Sequence, residues 1–213
     1  MMKRDMNILI TAGPTREHLD PVRFLSNRST GKMGFAVAQA AAARGHSVTL
    51  VAGPVALATP QGVTRVDVVS ARDMLAALER LLPLHDALVM SAAVADWRPA
   101  QTADAKLKKS GMDPTLQLVP NPDILTALAP LKGNRIFVGF AAETGDPVAE
   151  AQRKLAAKGL DLIVANDVTA PGAGFAVDTN IVTLLTASAP PQPLPLQSKL
   201  DIGRAIVQWI ERY

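Results

Sequence analysis

Three groupings of polar and basic residues in this chain could handle phosphate chemistry. The first is "SNRSTGKMG" at residues 26–34, which combines small hydroxyls, two glycines, an arginine and a lysine. It fits neither common phosphate-loop pattern. G-x-x-x-x-G-K-[ST] fails because Met33 follows Lys32 and no glycine stands five residues before Gly31. G-x-G-x-x-G fails because only Gly31 and Gly34 are present. Ser29, Thr30 and Gly31 nevertheless fall at the start of an alanine-rich stretch. Free N–H groups and the dipole at a helix start favour an anion, and Lys32 could add charge. Plain capping by a hydroxyl is the competing account. The second grouping is "KLKK", Lys106, Lys108 and Lys109, in an otherwise irregular stretch, for which a solvated surface is the bland alternative. The third is Lys154 and Lys158, four apart on one helix face, with Glu150 four residues before Lys154, so an ordinary surface ion pair stays open.

Other chemistries are excluded. The 213 residues contain no cysteine, which removes disulfides, thiolate metal sites and cysteine nucleophiles. His18, His46 and His85 lack metal-ligand spacing, and Ser91 has no nucleophile elbow around it. A net charge of +3 is a mild bias that favours small anions over the clustered basic face that nucleic acid requires. Aromatic residues make up only 4%, too few for a base-stacking platform. No apolar run approaches the roughly 18 residues of a membrane span, and the N-terminus reads as strand rather than signal peptide. No nucleic-acid or membrane partner is expected, and the chain reads as cytoplasmic.

The elements that must position these groups alternate. "NILITAG" is a buried strand stopped by Gly13-Pro14, followed by a long charged loop of about 17 residues, unusual in compact domains unless functional. "GKMGFAVAQAAAARG" is a helix whose small residues let it lie close to a sheet. "HSVTLVAG" and "DALVMSAA" are strands, with "ARDMLAALERLL" an amphipathic helix between them. After a second irregular stretch and a strand-like "TLQLV", "NPDILTALAPL" is a short helix with Asn121 as cap and Pro122 in its first turn. "RIFVGFAAE" and "DLIVAND" are strands flanking a helix, "DPVAEAQRKLAAKG", capped by Asp146. Short strands between residues 174 and 197 precede a closing helix. The alternation predicts one domain, 1–213, with an α/β, doubly wound, mostly parallel sheet and an antiparallel edge near the C-terminus.

In such sheets ligands bind beyond the carboxyl ends of the strands. Those ends are Thr11-Ala12-Gly13, Ser91-Ala92-Ala93, Gly139-Phe140-Ala141 and Ala165-Asn166-Asp167, small enough for a ligand to reach backbone. Tight strand-to-helix turns would use the same residues. Gly13 is therefore a candidate nucleotide contact beside Ser29 and Gly31. The second strand ends in Val51-Ala52-Gly53, without the acidic residue that a dinucleotide ribose requires.

Several segments, in order, resemble one family: "ILITAGPTREHLDPVRFLSNRSTGKMGFAVAQAAAARGHSVTLVAGP", "SAAVADWRP", "KLKK", "NPDIL", "VGFAAET" and "DLIVANDV". They are similar to phosphopantothenoylcysteine synthetase, the synthetase half of the bifunctional coenzyme A biosynthesis protein of bacteria. The resemblance implies a Rossmann-like, homodimeric ligase using CTP with Mg2+. It would form a 4′-phosphopantothenoyl-cytidylate from 4′-phosphopantothenate, then join L-cysteine to it. Carried over residue by residue, Asn27 would handle the acyl-cytidylate, Arg23 would serve the second half-reaction, and Lys106 would belong to a flexible basic segment over the site. Met90, Ser91, Ala92, Asp96, Asn121, Pro122, Asp123, Ile124, Phe140, Lys154 and Lys158 would contact the nucleotide; metal ligands are not indicated. Nothing here corresponds to the family's flavin-dependent decarboxylase half, so no flavin is expected in this chain, which would be free-standing or one domain of a longer protein. A Rossmann-type NAD(P) oxidoreductase and a non-catalytic nucleotide-binding module are the alternative readings.

Overall fold

The computed structural model describes residues 5–109, 115–143, 147–167 and 172–213. In chain order the elements are β1 (Asn7–Ala12), β2 (Arg16–His18), β3 (Phe24–Ser26), α1 (Lys32–Ala43), β4 (Ser47–Ala52), β5 (Val63–Asp67), α2 (Ala71–Leu81), β6 (Ala87–Met90), β7 (Trp97–Pro99), β8 (Leu118–Pro120), α3 (Ile124–Leu128), β9 (Ile136–Glu143), α4 (Pro147–Ala157), β10 (Leu162–Asp167), β11 (Thr179–Leu185), β12 (Gln192–Ser198) and α5 (Lys199–Arg212). Eight strands form one sheet in the order β12-β11-β10-β9-β6-β1-β4-β5. Its pairs from β10 to β5 are parallel, while β11 and β12 join antiparallel. This is the α/β architecture expected, antiparallel edge included. No helix among the described residues is long and apolar enough to cross a membrane.

Strand alternation divides the core into two layers. Ile8, Ile10 and Ala12 of β1 face one layer with Phe35, Val37 and Ala41 of α1 and Ile202, Ile206 and Ile210 of α5. Leu9 faces the other, with Met74 and Leu78 of α2, Leu128 of α3 and Leu155 of α4. The small residues of α1 bring it close to the sheet. A Cβ on Gly34 would stand 2.6 Å from the Thr11 carbonyl oxygen and the Ala12 methyl. The chain winds from β1 through β4 to β5 on one side and from β6 outward on the other, which puts a topological switch point between β1 and β6.

Three features depart from expectation. β5 forms the far edge of the sheet where no strand was read. The charged loop after β1 is a β2–β3 hairpin, and "TLQLV" contributes β8, which pairs with β7. The hairpin is pinned to α2, since Glu17 Oε1 accepts the Ala71 N–H at 2.9 Å. Finally, α3 begins later than read: Asp123, not Asn121, is its cap, with its carboxylate accepting the Thr126 N–H at 2.9 Å. Asp146, expected to cap α4, lies outside the described residues.

Candidate active site

The switch-point crevice is stitched across its floor. The Ala92 N–H donates to Thr11 Oγ1 at 3.0 Å, the Ala93 N–H to the Gly13 carbonyl at 2.9 Å, and the Ala95 N–H to Thr15 Oγ1 at 3.0 Å. Buried Thr11 and Thr15 thus spend their hydroxyls holding the loop after β6 against the end of β1. Two cavities open on either side of that loop and share Ala92, Ala93 and Phe140 in their walls.

The larger, about 650 Å³, is lined by the 90–97 loop, residues 120–125, Gly139 and Phe140, and by Lys154 and Lys158 of α4 and its C-terminal end. It gathers Met90, Ala92, Asp96, Asn121, Pro122, Asp123, Ile124, Phe140, Lys154 and Lys158, all named from sequence. Asn121 braces the wall: its Nδ2 donates to the Ala95 carbonyl at 2.8 Å and its backbone N–H to that of Asp96 at 2.7 Å. Lys158 Nζ bonds the Asp123 carboxylate and, at 2.9 Å, Thr126 Oγ1. Partial burial pushes the Asp123 pKa upward, but the hydrogen bonds from Lys158 and Thr126 outweigh it and hold the group below the ordinary carboxylate value. Lys154 lies 3.7 Å from Glu150. Asp96 and Asp123 share the cleft with the two lysines, so it is less cationic than the lysines alone imply.

The smaller cavity, about 120 Å³, lies at the start of α1 and is lined by Ser29–Gly34, Ser91, Asn166, Asn180 and Lys199 among others. Gly31 adopts φ +80° at the helix N-cap, and no side chain caps it. Capping by a hydroxyl, the competing account of "STG", is therefore not realised. Ser29 Oγ instead accepts the Gly31 N–H at 3.3 Å, and the first intrahelical bond comes from Phe35 to Gly31. The N–H groups ahead of Phe35 are thus left for an anion. Ser91 Oγ is buried without a hydrogen-bond partner among the described residues. Lys32 turns toward the 174–178 segment, donating to the Ala176 carbonyl at 3.0 Å and pairing with Asp178 at 2.7 Å.

The three residues assigned to catalysis are not gathered in one wall. Asn27 lines neither cavity but is bonded to their shared wall, its Nδ2 donating to the Ala93 carbonyl at 3.0 Å. Arg23 lies outside both, paired with Asp20 at 2.5 Å. Lys106 is exposed and lines neither cavity. Gly13 also lines neither. Its φ of +78° makes the turn, and Gly31 packs directly on it, so it shapes the α1 start rather than facing the space. Lys199, Asn180 and Asp20 were missed: Asn180 arrives from the antiparallel β11 and Lys199 from the start of α5 just after β12, whose places beside the site no local pattern announces. Asn166 stood at a strand end already marked as ligand-facing. A dinucleotide reading meets an obstacle at Gly53, where any Cβ would overlap the Pro14 carbonyl, leaving no room for a ribose-binding carboxylate at that position. Among the described residues no group of three or more His, Asp or Glu side chains could cage a metal ion.

Comparison with known proteins gives the family. The family of the DNA/pantothenate metabolism flavoprotein C-terminal domain matches residues 3–213. The coenzyme A biosynthesis bifunctional protein CoaBC of Bacillus subtilis is 50% identical over 205 residues, 96% of this chain and 50% of that protein. The chain thus spans about half the length of the curated relatives it matches. The crystal structure of the C-terminal domain of a CoaBC protein superposes with a TM-score of 0.83 at 41% identity, covering 97% of this chain and 94% of that one. A Cab2 variant in complex with phosphopantothenate-cysteine shares the fold at 18% identity, with a TM-score of 0.78 over 96% of this chain and 84% of that one. The resemblance carried by the N-terminal and "AAVAD" motifs is borne out at the level of family: this chain belongs to the DNA/pantothenate metabolism flavoprotein C-terminal domain family.

Proposed function

We propose that this chain is a CTP-dependent ligase that joins 4′-phosphopantothenate to L-cysteine in coenzyme A biosynthesis, in the cytoplasm. The observation that carries the reading is the larger cleft, where ten residues assigned to the nucleotide from motif resemblance come together from the end of β6 and its loop, the 121–124 segment, β9, and α4 with its C-terminal end. In the first step a carboxylate oxygen of phosphopantothenate attacks the α-phosphorus of CTP, and the β- and γ-phosphates leave as pyrophosphate. In the second, the cysteine amine attacks the acyl carbon, the bond from that carbon to the bridging oxygen breaks so that CMP leaves carrying that oxygen, and the amine loses its proton to water or buffer. Phosphopantothenate-cysteine, the molecule in the Cab2 complex, is the product this sequence of steps would yield.

The residues fit the charge problem. A triphosphate, a phosphate monoester and a carboxylate repel one another in a desolvated site, so fixed donors and cations must offset them. Lys154 and Lys158 would meet the nucleotide phosphates from α4, with Lys158 exchanging Asp123 for phosphate. The uncapped α1 start would supply backbone N–H groups. Asn27 would hydrogen-bond the acyl phosphate without competing as a nucleophile. Magnesium belongs to the substrate as Mg·CTP: an ion held by phosphate oxygens and water needs no protein cage, which suits the absence of an acidic cluster among the described residues.

A homodimer is part of the reading. Val22 and Phe24 of the hairpin and Trp97 and Leu118 of the β7–β8 pair are 58%, 40%, 54% and 43% exposed, and β2 packs beside β7. These side chains would pack against a second copy and bring Arg23 toward its site. The deciding experiment incubates the purified chain with Mg·CTP and phosphopantothenate and follows pyrophosphate, then adds cysteine and follows CMP. No pyrophosphate overturns the ligase reading. Protection against heat by NADP but not by CTP would favour the oxidoreductase instead.

A further inference from the structure

Asp20 has a completely buried side chain in the turn between β2 and β3. Its Oδ1 accepts the backbone N–H groups of Val22 and Arg23, both at 2.8 Å, and that alone would build the turn. Its Oδ2 does something the turn does not require. It accepts Arg23 Nε at 3.0 Å and Nη2 at 2.5 Å, and also the N–H of Leu107 at 3.2 Å, from a segment 87 residues away. The Arg23 Nη2 group then donates to the Leu107 carbonyl at 3.0 Å, closing a ring of three residues. Two further bonds run parallel to it. Thr102 Oγ1 donates to the His18 carbonyl at 3.0 Å, and the Ala103 N–H to that of Leu19 at 2.9 Å. The root of the basic segment is thus sewn to the turn that carries Arg23, and Lys106 is the residue next to the Leu107 knot.

We propose that Asp20 is a positioning residue that joins the Arg23 turn and the 102–107 segment into one body, so that Arg23 and Lys106 reach the acyl-nucleotide together. This rests on the ligase reading given above. Five donors on one carboxylate exhaust its acceptor capacity, which is about four lone-pair sites. The Arg23 guanidinium is the main cause that keeps the group ionised well below the ordinary carboxylate range, against burial, so its charge is present at every working pH. Charge-assisted bonds of this kind are strong and directional, as a hinge pin must be. The second half-reaction needs the 102–107 segment and Arg23 in one arrangement at one time, and independent loops would reach it only in the fraction of molecules where both happen to be in place.

The test is Asp20→Asn, which keeps the shape and one acceptor oxygen for the turn but turns an amide toward the guanidinium and Leu107. The expected result has three parts. Pyrophosphate release from Mg·CTP and phosphopantothenate stays within about threefold of wild type, while cysteine-dependent CMP release falls about tenfold or more in kcat, with the KM for CTP little changed. The amide of Leu107 loses its protection from hydrogen exchange. Thr102→Val, on an exposed segment, keeps the assay decisive should Asp20→Asn fold poorly; it is expected to slow the same step several-fold with melting unchanged. Wild-type CMP release in either well-folded variant overturns the proposal. So does an equal fall in both half-reactions together with a lowered melting temperature, which would mark Asp20 as structural only. A wild-type chain that releases no pyrophosphate overturns the ligase reading instead, and the Leu107 exchange measurement then still decides whether the two segments move as one.

Discussion

The side-chain amide of Asn27 donates to the Ala93 carbonyl at 3.0 Å, and Ala93 stands in the wall of both cavities. Asn27 is thereby held against a residue shared by the walls of both cavities. Asn27→Asp removes this donor and sets a carboxylate against a carbonyl oxygen and an acyl phosphate. The expected outcome is pyrophosphate release near the wild-type rate, with CMP and amide product formed about tenfold or more slowly. Single-turnover measurement of both products checks it; equal rates for both would remove Asn27 from the chemistry.

Lys158 is held by Asp123 and Thr126, and phosphate would have to draw it away. Lys158→Met should weaken Mg·CTP binding about tenfold while leaving the fold intact. It should also let the Asp123 pKa rise, because the hydrogen bond from Lys158 leads the influences that oppose burial. A carboxylate depressed in the folded state contributes stability above its unfolded pKa, and that contribution is lost as pH falls through the folded value. The variant should therefore lose less stability than wild type on acidification below about pH 4. Melting curves at pH 3 and pH 7 measure the difference.

The sheet was legible because its central strands are short apolar runs bounded by glycine or small residues, separated by an alanine-rich α1 and an α2 with apolar residues on one face. β5 escaped because Val63–Asp67 is a half-exposed edge strand with Arg65 in its middle, so neither alternation nor a continuous apolar run marks it. The hairpin escaped because strands of three residues, Arg16–His18 and Phe24–Ser26, are too short to show a period. Ten residues named from strand ends or motifs line the larger cavity, whereas Gly13, Arg23 and Lys106 line neither cavity, and Asp20 and Lys199 carry no local signal. Their bonds run across 87 and 25 residues to backbone atoms, which every residue type carries.

Gly34 decides how close α1 approaches β1. A Cβ there would stand 2.6 Å from the Thr11 carbonyl oxygen and the Ala12 methyl, neither of which can swing aside. Gly34→Ala should push the helix outward and cost about 1–3 kcal/mol of stability. Because the same helix start lines the small cavity, protection against heat by Mg·CTP should shrink as well. Differential scanning with and without nucleotide separates the two effects; a variant with wild-type melting would contradict the close contact.

Lys199 is 5% exposed, and its ammonium donates to the carbonyls of Gly174, Phe175 and Val177 at 2.8, 3.2 and 2.5 Å. The same 174–178 segment receives Thr30 Oγ1 at the Phe175 carbonyl and Lys32 at the Ala176 carbonyl and Asp178, so it is strapped over the start of α1. Lys199→Met leaves those carbonyls without their donor and should cost about 2–3 kcal/mol. Burial lowers the Lys199 pKa first, and the nearby Lys32 charge lowers it further, against a smaller opposing pull from Asp178. Between that lowered value and the unfolded value of about 10.4, the unfolded chain binds more protons than the folded one, so stability rises with pH across the window. The stability advantage of wild type over Lys199→Met should therefore widen as pH climbs from neutral toward 10. Urea unfolding of both proteins at stepped pH measures it, and a difference that stays flat would mean that Lys199 is not held as a desolvated cation.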